Sequence, residues 1–209
     1  MTGKIYFTGT IVSVQPRIRL LRSFDERQHS YLGYQLIIDG DFGPAQRRSS
    51  LGVGKAALAK HQFQVGHEVS GHCQPIANSR TEAVDFYKAS KMKVLTRDID
   101  TRLNSQPWHG VPLELPVYRA RGHRRLDKRI YEAKCFSCIW GCNMPVEMII
   151  DPWVSEKKEY RQETWCYGPK SCPLYKAGPT RKVPGRNGMV YEEEDLVDND
   201  ATSHRTDDE

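Results

Sequence analysis

The sequence predicts a mostly β fold with short helices, and three observations carry that expectation. The first hundred residues fall into short runs rich in β-branched and aromatic side chains, broken by Gly, Pro and Asp. Only residues 52–61 among them have the Ala, Leu and Lys content of a clear helix. The second half concentrates cysteines and basic residues and lacks sustained apolar periodicity, which describes a small irregular α+β module.

Taken in order, Ile5 to Val14 reads as a strand that continues through Arg17-Ile18-Arg19-Leu20, with Pro16 marking an edge, a bulge or a bend because it cannot donate to a ladder. Arg17, Arg19 and Arg22 follow on or near one exposed face. Leu32 to Ile38 is a second strand ending at the turn-forming Asp39-Gly40-Asp41, and Gln46 to Leu51 is a third. The Gly52-x-Gly54-Lys55 start of the helix lacks both the glycine spacing and the following Ser or Thr of a phosphate loop, so it reads as a turn. Val65 to Cys73 alternates as a fourth strand and Met92 to Leu95 as a last one. A short helix capped by Thr81 is expected between them, over residues 81–88. His67, His72 and Cys73 do not make a metal site by this pattern, since successive strand residues point to opposite faces.

That order of elements, together with the Phe63-Gln64-Val65-Gly66-His67-Glu68-Val69 entry into the fourth strand, resembles the OB-fold, a five-stranded barrel, over residues 3–97. The resemblance implies a binding face on the second and third strands, flanked by the loop after the first strand and the loop before the last. In this chain those positions offer Arg22, Arg27, His29, Tyr31, Arg47 and Arg48, guanidiniums and an aromatic suited to phosphate contact and base stacking.

Five cysteines fall within 38 residues, as Cys135-x2-Cys138-x3-Cys142 and then Cys166-x5-Cys172, whereas the first 134 residues contain only Cys73. A two-residue gap lets two sulfurs of one turn converge on a metal ion, and a second pair further along closes a tetrahedron. The expected ligands are Cys135, Cys138, Cys166 and Cys172, with Cys142 as an alternative. The chain opens without an apolar signal segment and has no long uncharged run, so the expectation is a cytoplasmic, non-membrane protein whose cysteines ligate metal instead of forming disulfides. Zinc is the first choice. An iron–sulfur cluster is the alternative, drawing on the fifth cysteine, Cys172-Pro173 and the neighbouring Trp140 and Trp165.

Charge divides the chain unevenly. The formal net charge is +5, but residues 191–209 hold nine acids against the single base Arg205, leaving +13 over residues 1–190. Such a field attracts polyanions. The expected organisation is an OB-like β-barrel over 1–97, a proline-containing linker over 98–117, a basic cysteine-ligated metal module over 118–190 and an acidic, disordered tail over 191–209. In the module, seven of the sixteen residues from Arg119 to Lys134 are basic. A helix over 124–133 would bury Leu126, Ile130 and Ala133 and turn Arg125, Lys128 and Arg129 outward. Residues 181–186 read as an irregular basic arm.

No nucleophile elbow, paired metal-binding histidines, kinase signature or Walker pattern occurs, and four thiolates leave zinc no open position. The functional expectation is therefore a metal-binding protein that binds nucleic acid, single-stranded or structured, more a binder than an enzyme. The expected contacts are Arg17, Arg19, Arg22, Arg27, Tyr31, Arg47, Arg48, Arg125, Lys128 and Arg129. A protein-interaction adaptor with a structural metal is the first alternative, and an iron–sulfur or other metal-dependent enzyme is the second.

Overall fold

The computed structural model describes residues 3–23, 27–97, 109–154, 156–193 and 195–206. The fold is mostly β with short helices, and the first half closes into a ring of five strands. These are β1 (Ile5–Arg22), β2 (Arg27–Phe42), β3 (Ala45–Val53), β4 (Glu68–Pro75) and β5 (Phe86–Thr96), with helix α1 (Lys55–His61) between β3 and β4. The order β2-β3-β5-β4-β1 returns to β2 because β1 pairs with it as well. The 18-residue β1 supplies two edges, since Ile5 to Thr10 pair with β4 while nearly the whole strand pairs with β2. Register shifts between Ile11 and Ser13 and between Arg17 and Ile18 bend it, the second immediately after Pro16.

Three local readings change. The β2–β3 hairpin turns at Gly43-Pro44, so Asp39 to Asp41 lie inside β2. Gly43 alone accepts the left-handed φ of 62° needed there. The helix expected over residues 81–88 is absent. Asp85 instead accepts hydrogen bonds from Ser50 N and Oγ, and β5 starts at Phe86, whose pairing with Leu51 closes the ring. The third is the helix expected over 124–133, which resolves into β6 (Arg124–Arg125), a single turn α3 (Lys128–Ile130) capped by the Asp127 carboxylate, and a π turn over Tyr131–Cys135.

The second half is continuous with the ring. Helix α2 (Leu115–Arg121) begins within the stretch read as a linker, of which residues 98–108 lie outside the described residues. The hairpin of β7 (Gly141–Ile149) and β8 (Lys158–Cys166) joins the same sheet, because Leu20, Leu21 and Arg22 of β1 pair in parallel with Val146, Glu147 and Met148. One hydrophobic core accordingly runs from Phe7, Ile11, Leu36 and Leu51 to Tyr118, Cys142, Met144, Val146 and Trp165. The basic arm pairs as a hairpin, β9 (Arg181–Pro184) with β10 (Val190–Glu193). The acidic tail, expected to lack structure, contains β10 and helix α4 (Asp195–Thr202). It is held by Asp198, whose carboxylate accepts from Arg125 N at 2.8 Å and Arg125 Nε at 3.1 Å.

Candidate functional site

Cys135 ends the π turn, Cys138 lies in the turn leading into β7, Cys166 ends β8, and Cys172 follows in a loop. The β7–β8 register sets Gly141 opposite Cys166, so the two cysteine turns meet at one end of the hairpin. All four cysteines line a single cavity of about 30 Å³, walled by Leu126, Trp140, Leu174 and Tyr175. Amides two residues further on approach two of the sulfurs, Trp140 N donating to Cys138 Sγ at 3.4 Å and Gly168 N to Cys166 Sγ at 3.3 Å. Such donors favour the thiolate form. Burial opposes it, pushing Cys135 up to about 12 with Cys166 and Cys172 adding to the rise, and raising Cys138 and Cys166 as well. Thiols crowded this way become anionic only if a cation shares their space. As placed, no group of three or more His, Cys, Asp or Glu side chains among the described residues has the arrangement to hold a metal ion. The four sulfurs are gathered around one space without the closer convergence of a ligated set.

Cys142 is elsewhere. It is fully buried in the main core, and its thiol donates to Pro16 O at 3.4 Å. His67 and Cys73 are likewise buried in the ring, apart from the cysteine cavity.

What holds the first cysteine turn comes from the ring. Gln15, 2% exposed, points its amide nitrogen at the carbonyls of Cys135, Phe136 and Cys138, each at 3.0 Å, and its oxygen accepts from the Tyr131 hydroxyl at 2.7 Å. Ser13 Oγ adds a bond to Phe136 O at 2.6 Å. The clamp leaves no room at Gly141, where a Cβ would stand 2.7 Å from both Cys135 O and Gln15 Nε2. The signal for this role was present in the sequence as two polar residues, Ser13 and Gln15, alternating with apolar ones in the stretch Ile11 to Pro16. His109 escaped the sequence reading altogether; it lines the cavity and hydrogen-bonds Ser137 Oγ at 3.0 Å.

The second cysteine loop is held by arginines from the basic run. Arg121 Nε donates to Tyr167 O at 2.9 Å and Arg124 Nη2 to Pro169 O at 2.8 Å, while Arg205 beyond α4 donates to Tyr167 O and Gly168 O. Two residues of the strongest basic run, Arg121 and Arg124, are thus turned inward onto carbonyls of the Cys166–Cys172 loop, while Arg119, Lys128, Arg129 and Lys134 stay exposed.

The expected nucleic-acid contacts divide accordingly. Two are corrected. Arg125 is 0% exposed, because β6 lies between β8 and α4 and Asp198 receives its guanidinium. Arg22 is 3% exposed and sits 3.7 Å from the Glu163 carboxylate, because the end of β1 is covered by β7 and β8. Arg17 and Arg19 are half-buried on the β4–β5 side, Arg19 in a 2.6 Å ion pair with Glu82. Arg27 and Tyr31 are also half-buried, with Arg119 5.0 Å over the Tyr31 ring. Arg47, Arg48, Lys128 and Arg129 are exposed. Arg48 makes a two-pronged bond to Asp39 and stands 5.6 Å over Phe136, bordering the first cysteine turn, whereas Arg47 stands 5.5 Å over Phe86 of β5. Of the rings in the second half, Trp140, Trp165 and Tyr167 are core, and Trp153 at the tip of the β7–β8 hairpin is 82% exposed.

No protein-family model, curated protein or solved structure matches this chain. Among the described residues no helix is long and apolar enough to cross a membrane.

Proposed function

We propose that this chain is a metal-stabilised nucleic-acid-binding protein in which Cys135, Cys138, Cys166 and Cys172 hold one zinc ion. The observation that carries the reading is the single cavity lined by these four residues, two on each side of a β-hairpin end. Its volume of about 30 Å³ suits one ion better than a multi-iron cluster, and Cys142 in the main core removes the surplus ligand that favoured iron–sulfur. The donor set fits a four-thiolate zinc, which when bound neutralises the thiolates and fixes the two turns without an open coordination position. The chain's own part is to clamp one turn from Gln15 and Ser13 and the other from Arg121 and Arg124.

The closed five-strand ring, with α1 between its third and fourth strands, supports the OB-like reading, and Arg47 and Arg48 occupy the third strand. With the exposed Lys128 and Arg129, they form the electrostatic side of the nucleic-acid reading. Binding to oligonucleotides is expected to weaken steeply as salt rises. Elemental analysis of purified protein, followed by fluorescence anisotropy with single-stranded DNA and RNA, tests both halves. One zinc per chain and salt-sensitive binding are expected, and binding that is absent or indifferent to salt refutes the nucleic-acid half. The adaptor reading draws on Trp153, an exposed aromatic at a hairpin tip, and predicts a protein partner that survives nuclease treatment.

A further inference from the structure

The cleft beside the cysteine module has the features of an anion site that the sequence did not mark. It is open, about 460 Å³ in volume, and lies between β8, β9 and the α3 segment. Four of its lining residues are cationic, Lys128, Arg161, Arg181 and Lys182, against the two carboxylates Glu132 and Glu163. Glu163 does not neutralise the cleft, because it is shared. It accepts from Arg161 Nε at 2.6 Å and Arg181 Nη1 at 3.0 Å, with Arg22 a further 3.7 Å away.

The two arginines are fixed before any ligand arrives. Arg181 also donates to Thr164 O at 2.6 Å and lies 4.0 Å over the Trp165 ring. Arg161 donates a second bond to Lys182 O at 2.6 Å, and its remaining nitrogen, Nη2, is buried without a hydrogen-bond partner among the described residues. A guanidinium held at two nitrogens is a fixed positive charge in the wall of the cleft, acting on an oxyanion through its field, since Nη2 itself is covered. Lys128 and Lys182 are exposed at the mouth and add mobile charge. Lys128 has only a loose 3.8 Å pairing with Glu132, and Glu192, opposite Lys182 on β10, already accepts from Thr180 Oγ1 at 2.7 Å.

We propose that this cleft binds phosphoryl groups, with Arg161 and Arg181 as fixed charges in its wall and the exposed Lys128 and Lys182 as the side chains that contact the anion. The assignment deepens the nucleic-acid reading and rests on it for the polymeric source, namely the phosphodiesters of a single strand passing between α3 and β9. A free phosphoryl compound offers the same chemistry.

The test uses the full-length, metal-loaded chain, a labelled twelve-nucleotide single strand and inorganic pyrophosphate. The Lys128→Glu/Lys182→Glu double variant should bind the strand at least tenfold more weakly, with the log–log salt slope shallower by about 1.4 for two lost phosphate contacts. Its melting curve should match the wild type, since both side chains are exposed. Lys55→Glu/Lys60→Glu on α1 is the charge-matched control and should lose less than threefold. Pyrophosphate that displaces the strand at micromolar concentration assigns a compact phosphoryl ligand, whereas displacement only at millimolar concentration assigns the polymer backbone. If the wild type binds the strand and the cleft variant binds it equally well, the cleft assignment is overturned while the nucleic-acid reading stands. Wild-type protein that binds neither strand nor pyrophosphate overturns both.

Discussion

Replacing Gln15 by Met keeps the side-chain volume and removes the three amide contacts and the Tyr131 bond by which Gln15 joins the ring to the first cysteine turn, leaving that of Ser13. The cost follows from what each partner retains. The carbonyls of Cys135, Phe136 and Cys138 keep a second donor each, from Cys138 N, Ser13 Oγ and Gly141 N, so they lose only the net value of the two amide hydrogens. At about 1 kcal/mol apiece this is about 2 kcal/mol. The Tyr131 hydroxyl, on a side chain 6% exposed, loses its acceptor, which adds about 1–3 kcal/mol. The total is about 3–5 kcal/mol, or a fall in Tm of roughly 10 °C for a chain of this length. Circular dichroism melts of the zinc-loaded protein measure it, and a colorimetric chelator should strip metal faster from Gln15→Met than from wild type because the turn bearing Cys135 and Cys138 is loosened. A loss below about 1 kcal/mol with an unchanged stripping rate would refute the clamp.

Four further outcomes follow from the same structure. Cys138→Ser should abolish stoichiometric zinc while Cys142→Ser retains it, since the Cys142 thiol faces Pro16 O and not the cavity; elemental analysis distinguishes the two. Glu163→Gln should destabilise the protein by about 3–5 kcal/mol in urea unfolding, because Arg161 and Arg181 lose a buried shared counter-charge. Asp198→Ala should cost about 3 kcal/mol by leaving the buried Arg125 without its carboxylate, so trimming the acidic tail lowers Tm instead of simply adding positive charge. Stability should also fall on acidification below about pH 6.5. Burial, followed by Arg27 and Arg22, lowers His29 to about 3, and burial, with His29 next, holds His123 well below its ordinary value. The unfolded chain therefore binds more protons than the folded one between pH 6.5 and about 3. Stability is complete above that window and lost within it, and a His29→Gln variant should show a shallower acid transition.

Much of the ring was legible because its strands carry their own signals. β1 announced itself by β-branched density and alternation, and α1 by its Ala and Leu content. Where a local signal was outvoted by tertiary contacts, the reading failed. Thr81 to Lys88 has helix-like composition, but Asp85 is captured by Ser50 and Phe86 by the core. Arg124 and Arg125 look like a solvated basic helix, but carbonyls of the second cysteine loop and Asp198 on α4 draw them inward, and neither partner lies near them in sequence. The cysteine spacing placed first the four residues that line one cavity while keeping Cys142 as an alternative. It was silent on Gln15, which acts across 120 residues and has no motif.

The pairing of Leu20 to Arg22 with Val146 to Met148 has a consequence for how the chain is made. β1 cannot complete its pairing until β7, more than 120 residues further along the chain, has been synthesised. Until then the distal half of β1, with Ile18 and Leu20, exposes apolar surface that belongs under the β7–β8 hairpin. Non-local closure of this kind slows folding and lengthens exposure to aggregation. Zinc capture at the hairpin end would then come late, as the step that fastens the β7–β8 hairpin to a strand made more than 120 residues earlier.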